Sequence, residues 1–175
     1  MRHIKTSIIS PNIRIRRPDL CEIGDYSIID DFVYISCALK MGRFSHIAAN
    51  CTLLGGGQPI TIGDFVNIAP GCRLASASQD YTGGGLAGPC IPRGWEGEGI
   101  VGEIALLNHV LLGCNTVVLP GVFAPEGLAT GAMTLLTDQG YEPWTLYVGV
   151  PARPLRARDR DEILRGAEEL LKWLT

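Results

Sequence analysis

Residues 23–54 read IGDYSIIDDFVYISCALKMGRFSHIAANCTLL, and an apolar residue returns there at every sixth position. A helix repeats its buried face about every 3.6 residues and a strand about every two, so a step of six describes one short extended segment plus one turn, stacked repeatedly. The step resumes after a short interruption at 58–61 and again after a longer one. The sequence therefore predicts a solenoid with these inward anchors: Ile23, Ile29, Ile35, Met41, Ile47, Leu53, Ile62, Ile68, Leu74, Leu106, Leu112, Val118, Ala124, Thr130 and Leu136.

A second register supports the first, because a small or β-branched residue stands four positions after most anchors. Positions an even number apart in an extended segment share a face, so anchor and companion both point inward. The companions are Ser27, Val33, Leu39, Ser45, Cys51, Val66, Cys72, Ser78, Val110, Thr116, Val122, Leu128 and Thr134.

The repeats span 23–158 with an interruption at 76–99. Three segments do not follow the repeat. Residues 1–22 carry isoleucines out of frame and form either an irregular cap or an imperfect first coil, since the terminal repeat of a solenoid meets water. Residues 76–99 are rich in glycine and proline but contain four large apolar residues, which predicts an ordered loop reaching outward. Residues 159–175 predict a helix that begins with a capping pair and has one apolar face.

Composition excludes several classes of function. The 175 residues carry 15 basic and 18 acidic side chains, and no long stretch is strongly basic, so no nucleic-acid partner is expected. No apolar run suits a signal peptide or a membrane span, which favours a cytoplasmic protein. Six cysteines occur without a C-x-x-C pair, and Cys51 and Cys72 are inward companions. We therefore expect reduced, structural thiols and no bound metal.

The hexads resemble the hexapeptide repeat of the left-handed parallel β-helix acyltransferases, in which three hexads make one triangular coil. This resemblance implies an all-β solenoid, a left-handed parallel β-helix with a long external loop and a C-terminal α-helix. It also implies a homotrimer with active sites between subunits. The implied activity is transfer of an acetyl group from acetyl-CoA to a hydroxyl or amino group of a sugar, nucleotide-linked or in a polysaccharide, as in lipopolysaccharide biosynthesis.

The most specific functional motif is Gly149-Val150-Pro151-Ala152-Arg153-Pro154-Leu155-Arg156, which resembles the G-[NV]-P-A-[KR]-x-[ILV]-[KR] signature that closes many hexapeptide acetyltransferases. Prolines keep the backbone extended, and arginines supply permanent cations for phosphate groups. The alternative is a basic linker between solenoid and helix. The resemblance implies that coenzyme A lies along the last coils, with contacts to Gly113, Gly131, Ala132, Pro151, Ala152, Arg153 and Arg156.

Acetyl transfer needs a general base, because the nucleophile loses a proton as it attacks the thioester, and histidine suits neutral pH. His3 lies in the irregular terminus, and His109 occupies a coil corner where the family's histidine is usually structural. His46 remains, at an outward corner that ends a hexad. One coil onward stands Asn67, a polar neighbour able to orient an imidazole or a substrate.

The run Ser45-His46-Ile47 resembles the S-H-[VI] segment of sialic-acid-type and related amino-sugar N-acetyltransferases. In that group the catalytic histidine lies earlier, where this chain has Cys37, and the S-H histidine is associated with acetyl-CoA. Two roles for His46 therefore stay open, general base and cofactor contact.

Asp80 is a second candidate, in the long loop. Xenobiotic acetyltransferases carry a catalytic histidine there before an aspartate and a glycine, whereas this chain has Gln79 and Asp80. Asp80 either orients His46 of a neighbouring subunit, binds the sugar, acts as a weaker base, or simply caps the loop. The glycine runs 55–57 and 83–85 lack the lysine, the hydroxyl and the following helix of a phosphate-binding P-loop, which excludes that motif.

Two other functions share this fold. A γ-class-like carbonic anhydrase needs three zinc-ligating histidines across a subunit boundary, whereas here two distant coils carry one in-frame histidine each. A non-catalytic scaffold is the other alternative, because the histidine of the families that look closest is displaced. Coenzyme A binding separates an enzyme from a scaffold.

Overall fold

The computed structural model describes residues 6–174, whose backbone winds into a parallel β-solenoid of about seven turns followed by a single helix. The solenoid is a left-handed parallel β-helix, as the resemblance implied. Each hexad folds as one short strand and one corner, so a complete coil supplies one strand to each of three sheets. His3 lies outside the described residues.

The strands are short because a corner follows every few residues. In chain order they are β1 (Ile8–Ile9), β2 (Arg14–Ile15), β3 (Cys21–Ile23), β4 (Ile28–Ile29), β5 (Tyr34–Ile35), β6 (Leu39–Met41), β7 (His46–Ile47), β8 (Thr52–Leu54), β9 (Ile60–Ile62), β10 (Asn67–Ile68), β11 (Arg73–Ala75), β12 (Ala77–Gln79), β13 (Gly99–Val101), β14 (Ile104–Leu106), β15 (Leu111–Leu112), β16 (Val117–Val118), β17 (Phe123–Ala124), β18 (Ala129–Thr130), β19 (Leu135–Leu136), β20 (Thr145–Val148) and β21 (Arg153–Ala157). A 3-10 turn spans Pro18–Leu20, and the helix α1 spans Arg160–Leu174.

Stacking of the coils produces three sheets, which we number by their first strand. Sheet 1 has the order β1-β4-β7-β10-β15-β18-β20-β21, sheet 2 the order β2-β5-β8-β11-β16-β19, and sheet 3 the order β3-β6-β9-β14-β17. All neighbours within them pair in parallel except β20 and β21. A separate antiparallel hairpin joins β12 and β13.

The core is the axis of the solenoid. Every anchor from Ile29 onward is buried, and Ile23 at the start of the frame is half-buried. The companions are buried as well, except Ser78, because the chain has already left the solenoid at β12. Burial of each aliphatic side chain stabilises the fold by about 1.5–3 kcal/mol relative to an exposed one.

Residues 6–22 also contribute to the coils. Ile9 pairs with Ile29, and Ile15 pairs with Ile35, in the register that later coils use. The 3-10 turn Pro18–Leu20 lengthens the next corner, so the step from Ile15 to Ile23 exceeds six. That added turn is why these isoleucines look out of frame in the sequence.

One corner of the solenoid carries a column of aromatic rings: Tyr26, Phe44, Phe65, His109 and Trp144. All five have positive φ angles, from 52° to 62°, which is uncommon for bulky residues. The first four rings are nearly parallel, with centroids 4.7, 5.0 and 5.1 Å apart, and Trp144 lies 5.7 Å beyond His109. Ring stacking offsets part of the backbone cost. Burial lowers the pKa of His109, which therefore serves this column as a neutral ring.

Gly127 occupies the same corner in the coil between His109 and Trp144. Its φ is +69°, and a Cβ there would overlap the six-membered ring of Trp144. The indole therefore folds over the glycine to reach His109. Arg158 locks this corner, because its guanidinium donates to the carbonyls of His109 and Gly127 at 3.0 and 2.6 Å.

The excursion at 76–99 leaves the solenoid between sheets 2 and 3. Its base is closed by a hydrogen bond from the Gly102 amide to the Ser76 carbonyl at 3.0 Å. Beyond that base β14 pairs directly with β9, so sheet 3 continues without a gap. The loop exposes Tyr81 and Trp95, with 87% and 70% of their surface accessible.

The helix begins as its sequence predicts, because the Asp159 carboxylate accepts a hydrogen bond from the Glu162 amide at 3.0 Å. No residue of α1 is fully buried, so the predicted apolar face is only partly covered within one chain. Among residues 6–174, no helix is long and apolar enough to cross a membrane.

Candidate functional site

His46 lies on the outer face of sheet 1 and makes two polar contacts. It pairs with Asn67 on the next coil, as the count along the sequence predicted, and its Nδ1 lies 3.0 Å from Asn67 Oδ1. Its Nε2 lies 2.9 Å from Oδ2 of Asp30 on the preceding coil. The imidazole is thus held from both sides, while about a third of its side chain stays accessible.

These contacts restrict the proton positions of His46. A carboxylate only accepts hydrogen bonds, so Nε2 carries a proton toward Asp30. The Nδ1–Oδ1 contact then suits the imidazolium, which donates at both nitrogens. In the neutral ring Nδ1 holds the lone pair, and the Asn67 carboxamide must turn its amino group toward it. A neutral His46 therefore has Nδ1 as its basic nitrogen, and Asn67 covers it.

Asp30 is the residue that the sequence analysis missed. Counting one coil back from His46 gives Ile28, its partner in β4, and Asp30 lies two positions further on the same face. The count was made only forward, toward Asn67. A backward count along the same face was the signal that could have found the carboxylate.

Cys37 and His109, the other two positions at which a general base was considered, are not available for that role. Cys37, where the resemblance places the catalytic histidine, is fully buried, and burial raises the pKa of its thiol to about 11. Its Sγ points at the Leu53 carbonyl, at 3.8 Å. His109 is enclosed in the aromatic column. None of the six cysteines forms a disulfide, and residues 6–174 contain no cluster of histidine, cysteine and acidic side chains fit to hold a metal ion.

Asp80 stands at the exit of β12 and does not meet His46 within one chain. Its carboxylate accepts hydrogen bonds from the Thr82 hydroxyl and from the Thr82 amide at 2.8 Å. These bonds, the hydroxyl first, hold the pKa of Asp80 below its usual value. The Asp80 carboxylate is therefore ionised near neutral pH, and it caps the loop at Thr82.

The expected cofactor residues divide into two groups. Gly113 is required by coil stacking, because a Cβ there would lie 2.6 Å from the Gly131 carbonyl carbon. A Cβ on Gly131 would lie 2.9 Å from Val148 Cγ1, so only that side chain would have to shift. Ala152 is buried in the core. Gly113 and Ala152 therefore have a packing reason that needs no ligand.

The remaining expected contacts, Ala132, Pro151, Arg153 and Arg156, are exposed at the C-terminal end of the solenoid. Arg156 also lines a cavity of about 410 Å³ between sheet 1 and α1, together with Leu111, Ala129, Leu146, Ala157, Arg158, Asp159 and Ile163. Arg158, by contrast, is committed to backbone carbonyls, and burial lowers its pKa. Arg156 is the cation best placed for a ligand in that cavity.

Comparisons with known proteins identify relatives of this chain. No protein-family model matches the chain. It is 31% identical over 145 residues to a dTDP-4-amino-4,6-dideoxy-D-glucose acyltransferase of Escherichia coli, covering 81% of this chain and 74% of the relative.

Solved structures give the same picture. AntD, an N-acyltransferase from Bacillus cereus, was solved as a variant in complex with dTDP-4-amino-4,6-dideoxyglucose and coenzyme A. It superimposes with a TM-score of 0.89 at 36% identity, covering 95% of this chain and 87% of that one. A hexapeptide-repeat acetyltransferase from Vibrio cholerae superimposes with a TM-score of 0.58 at 25% identity, over 87% and 71% of the two chains.

Proposed function

The chain belongs to the hexapeptide-repeat sugar acyltransferases, and from that premise we propose that it transfers an acetyl group from acetyl-CoA to the amino group of a nucleotide-linked amino sugar. The names and bound ligands of its relatives support both substrates. A sugar hydroxyl is the alternative acceptor. The observation that carries the proposal is the imidazole of His46, held between Asp30 and Asn67 on an accessible face.

In the proposed mechanism the acceptor displaces Asn67 from Nδ1 of His46. The amino nitrogen attacks the thioester carbonyl carbon, and His46 Nδ1 takes the proton that the nitrogen loses. A backbone amide stabilises the oxyanion. The C–S bond then breaks, and the coenzyme A thiolate recovers the proton from the imidazolium. Asp30 keeps the other nitrogen protonated throughout.

The test is a turnover assay with acetyl-CoA and dTDP-4-amino-4,6-dideoxyglucose, read as release of free thiol. We expect His46→Asn to keep the fold and to lower kcat by about 10²–10⁴-fold, the usual contribution of general base catalysis. If the variant loses only acetyl-CoA affinity, His46 is a cofactor contact, and Asp80 becomes the leading base. Assays with 3-hydroxybutyryl-CoA and with plain hexoses test the acyl group and the acceptor.

The proposal includes a homotrimer with the active site between subunits. The exposed aromatic side chains of Tyr81 and Trp95 support it, because a loop that projects large apolar groups is suited to a neighbouring chain. Light scattering should give about three times the chain mass. A monomer with full activity would contradict this arrangement.

We further propose a cytoplasmic location and a role in lipopolysaccharide or other surface polysaccharide synthesis, because the acceptor is a nucleotide-activated sugar. Cell fractionation tests the location. Analysis of the surface glycan after gene deletion tests the role, and an unchanged N-acetyl content would exclude it.

A further inference from the structure

A second cavity lies near the N-terminal end of the solenoid, away from His46. It has a volume of about 300 Å³ and is lined by Arg16, Arg17, Ser36, Gly55 and Gly56. Two of its five lining residues are arginines, and none is acidic. The cavity that contains Arg156 does include a carboxylate, that of Asp159. The N-terminal cavity is therefore the more strongly positive of the two.

The two arginines differ in how they are held. Arg17 donates from Nη2 to the Gly56 carbonyl at 3.0 Å and to the Ser36 carbonyl at 3.4 Å, so its guanidinium is fixed at the cavity wall. The Arg16 side chain is exposed and has no hydrogen-bond or ion-pair partner among residues 6–174, while the Arg16 amide donates to the Ile35 carbonyl at 2.9 Å. The Ser36 hydroxyl accepts from the Gly55 amide at 3.4 Å, which leaves its own proton for another acceptor.

The glycines of this wall divide in the same way. A Cβ on Gly55 would collide with Ser76 and Cys37, so packing requires that glycine. A Cβ on Gly56 would meet only Ala77, at 4.0 Å, and neither Gly56 nor Gly57 has a positive φ. Packing and backbone conformation therefore do not explain Gly56. A bare backbone beside two guanidinium groups lets a ligand come close to the chain.

We infer that this cavity binds the diphosphate group of the nucleotide-linked acceptor. The guanidinium group matches phosphate oxygens in a bidentate fashion, and a pair of them suits a diphosphate. A volume of about 300 Å³ is at the lower end of the range for small-molecule sites, so it suits the phosphates and leaves the nucleoside and sugar to extend outward. The inference rests on the proposed function for the identity of the acceptor. It also rests on the proposed trimer, in which the amino group of that acceptor reaches His46 of a neighbouring subunit.

Position in the fold favours the acceptor over coenzyme A, which also contains a diphosphate. The cavity adjoins Ala77, the first residue of β12, and the same hairpin carries Asp80. The cations expected to serve coenzyme A, Arg153 and Arg156, are in β21, at the other end of the stacked coils. The two diphosphates thus have separate sets of arginines.

The test is calorimetric titration of the full chain with dTDP and, separately, with coenzyme A. Arg16→Gln removes the unpartnered cation, and we expect the Kd for dTDP to rise about tenfold with that for coenzyme A unchanged. Gly56→Ala adds a methyl group to the cavity wall without a clash, and it should weaken the binding of dTDP as well. The matched control is Arg14→Gln, which removes the same charge from β2 but does not line the cavity.

The outcomes separate this site from the proposed function. If Arg16→Gln and Gly56→Ala leave dTDP affinity and the KM of the amino-sugar substrate unchanged, the site is wrong even though turnover persists. If they weaken coenzyme A instead, the cavity belongs to the cofactor, and the inference fails. If they weaken dTDP while no nucleotide-linked amino sugar is acylated, the diphosphate site stands and the proposed function fails.

Discussion

Replacing Asp30 by asparagine tests the proposed base without removing it. The amide can accept at its oxygen or donate at its nitrogen, so it no longer compels Nε2 of His46 to carry the proton. A tautomer protonated at Nδ1 then becomes available, and in that tautomer the lone pair is on Nε2, so Nδ1 cannot take the proton of the acceptor. The side chains of His46 and Asp30 are 36% and 42% exposed, so the lost contact should cost the fold no more than about 1 kcal/mol.

The expected effect on rate is much larger than the effect on stability. We expect kcat for Asp30→Asn to fall by about 10²–10³-fold, within the range of general base catalysis. The double variant with His46→Asn should be scarcely slower than His46→Asn alone, because residues that act as a unit are not additive. The assay is thiol release across pH, with urea unfolding of the same samples.

Asp31→Asn is the matched control. Asp31 is the adjacent carboxylate, and it contacts Ser10 and Asn12 rather than His46. The control should keep wild-type kcat and pH dependence. Wild-type turnover and an unchanged pH profile in Asp30→Asn would refute the reasoning, since the tautomer of His46 would then be irrelevant to the chemistry.

Three further changes probe the frame around the site. Because burial lowers the pKa of His109, the unfolded chain binds more protons below about pH 6.5, and stability falls as the pH falls; His109→Phe should remove that loss, read as urea unfolding free energy at about pH 5 and 7.5. Gly127→Ala should destabilise the fold by about 2–4 kcal/mol through its positive φ and lost stacking, whereas Gly140→Ala, in open space, should stay within about 0.5 kcal/mol. Arg156→Gln should raise the Kd of coenzyme A about tenfold by calorimetry, and Arg165→Gln, exposed on α1, should not; equal affinities in those two variants would move the cofactor site elsewhere.

The repeat was readable from the sequence because the step of six directly reflects the length of a coil side. The repeat gave a wrong prediction at the point where the chain leaves the solenoid. Ser78 stands four positions after Leu74, so the repeat predicted an inward companion there. In the structure Ser78 lies in the hairpin, outside the solenoid. A two-residue alternation cannot distinguish those cases, because it fixes which face a residue occupies and not which strand it pairs with.

The candidate site was only partly readable. The pairing of His46 with Asn67 followed from the coil length, while Asp30 required the same count in the opposite direction. Glycine was the least informative residue type, because close stacking of coils and close approach of a ligand both favour glycine. At Gly113 the structure supplies the packing reason, and only coordinates could separate it from the ligand reason.

The closed base of the excursion at 76–99 has an evolutionary consequence. Because the Gly102 amide bonds to the Ser76 carbonyl and β14 stacks directly on β9, the solenoid below is complete without the hairpin. We therefore expect the coils to stay folded when the hairpin is replaced by another segment. In the proposed trimer the hairpin borders the acceptor, so changes in its length and side chains would alter acceptor specificity while the coils keep their register.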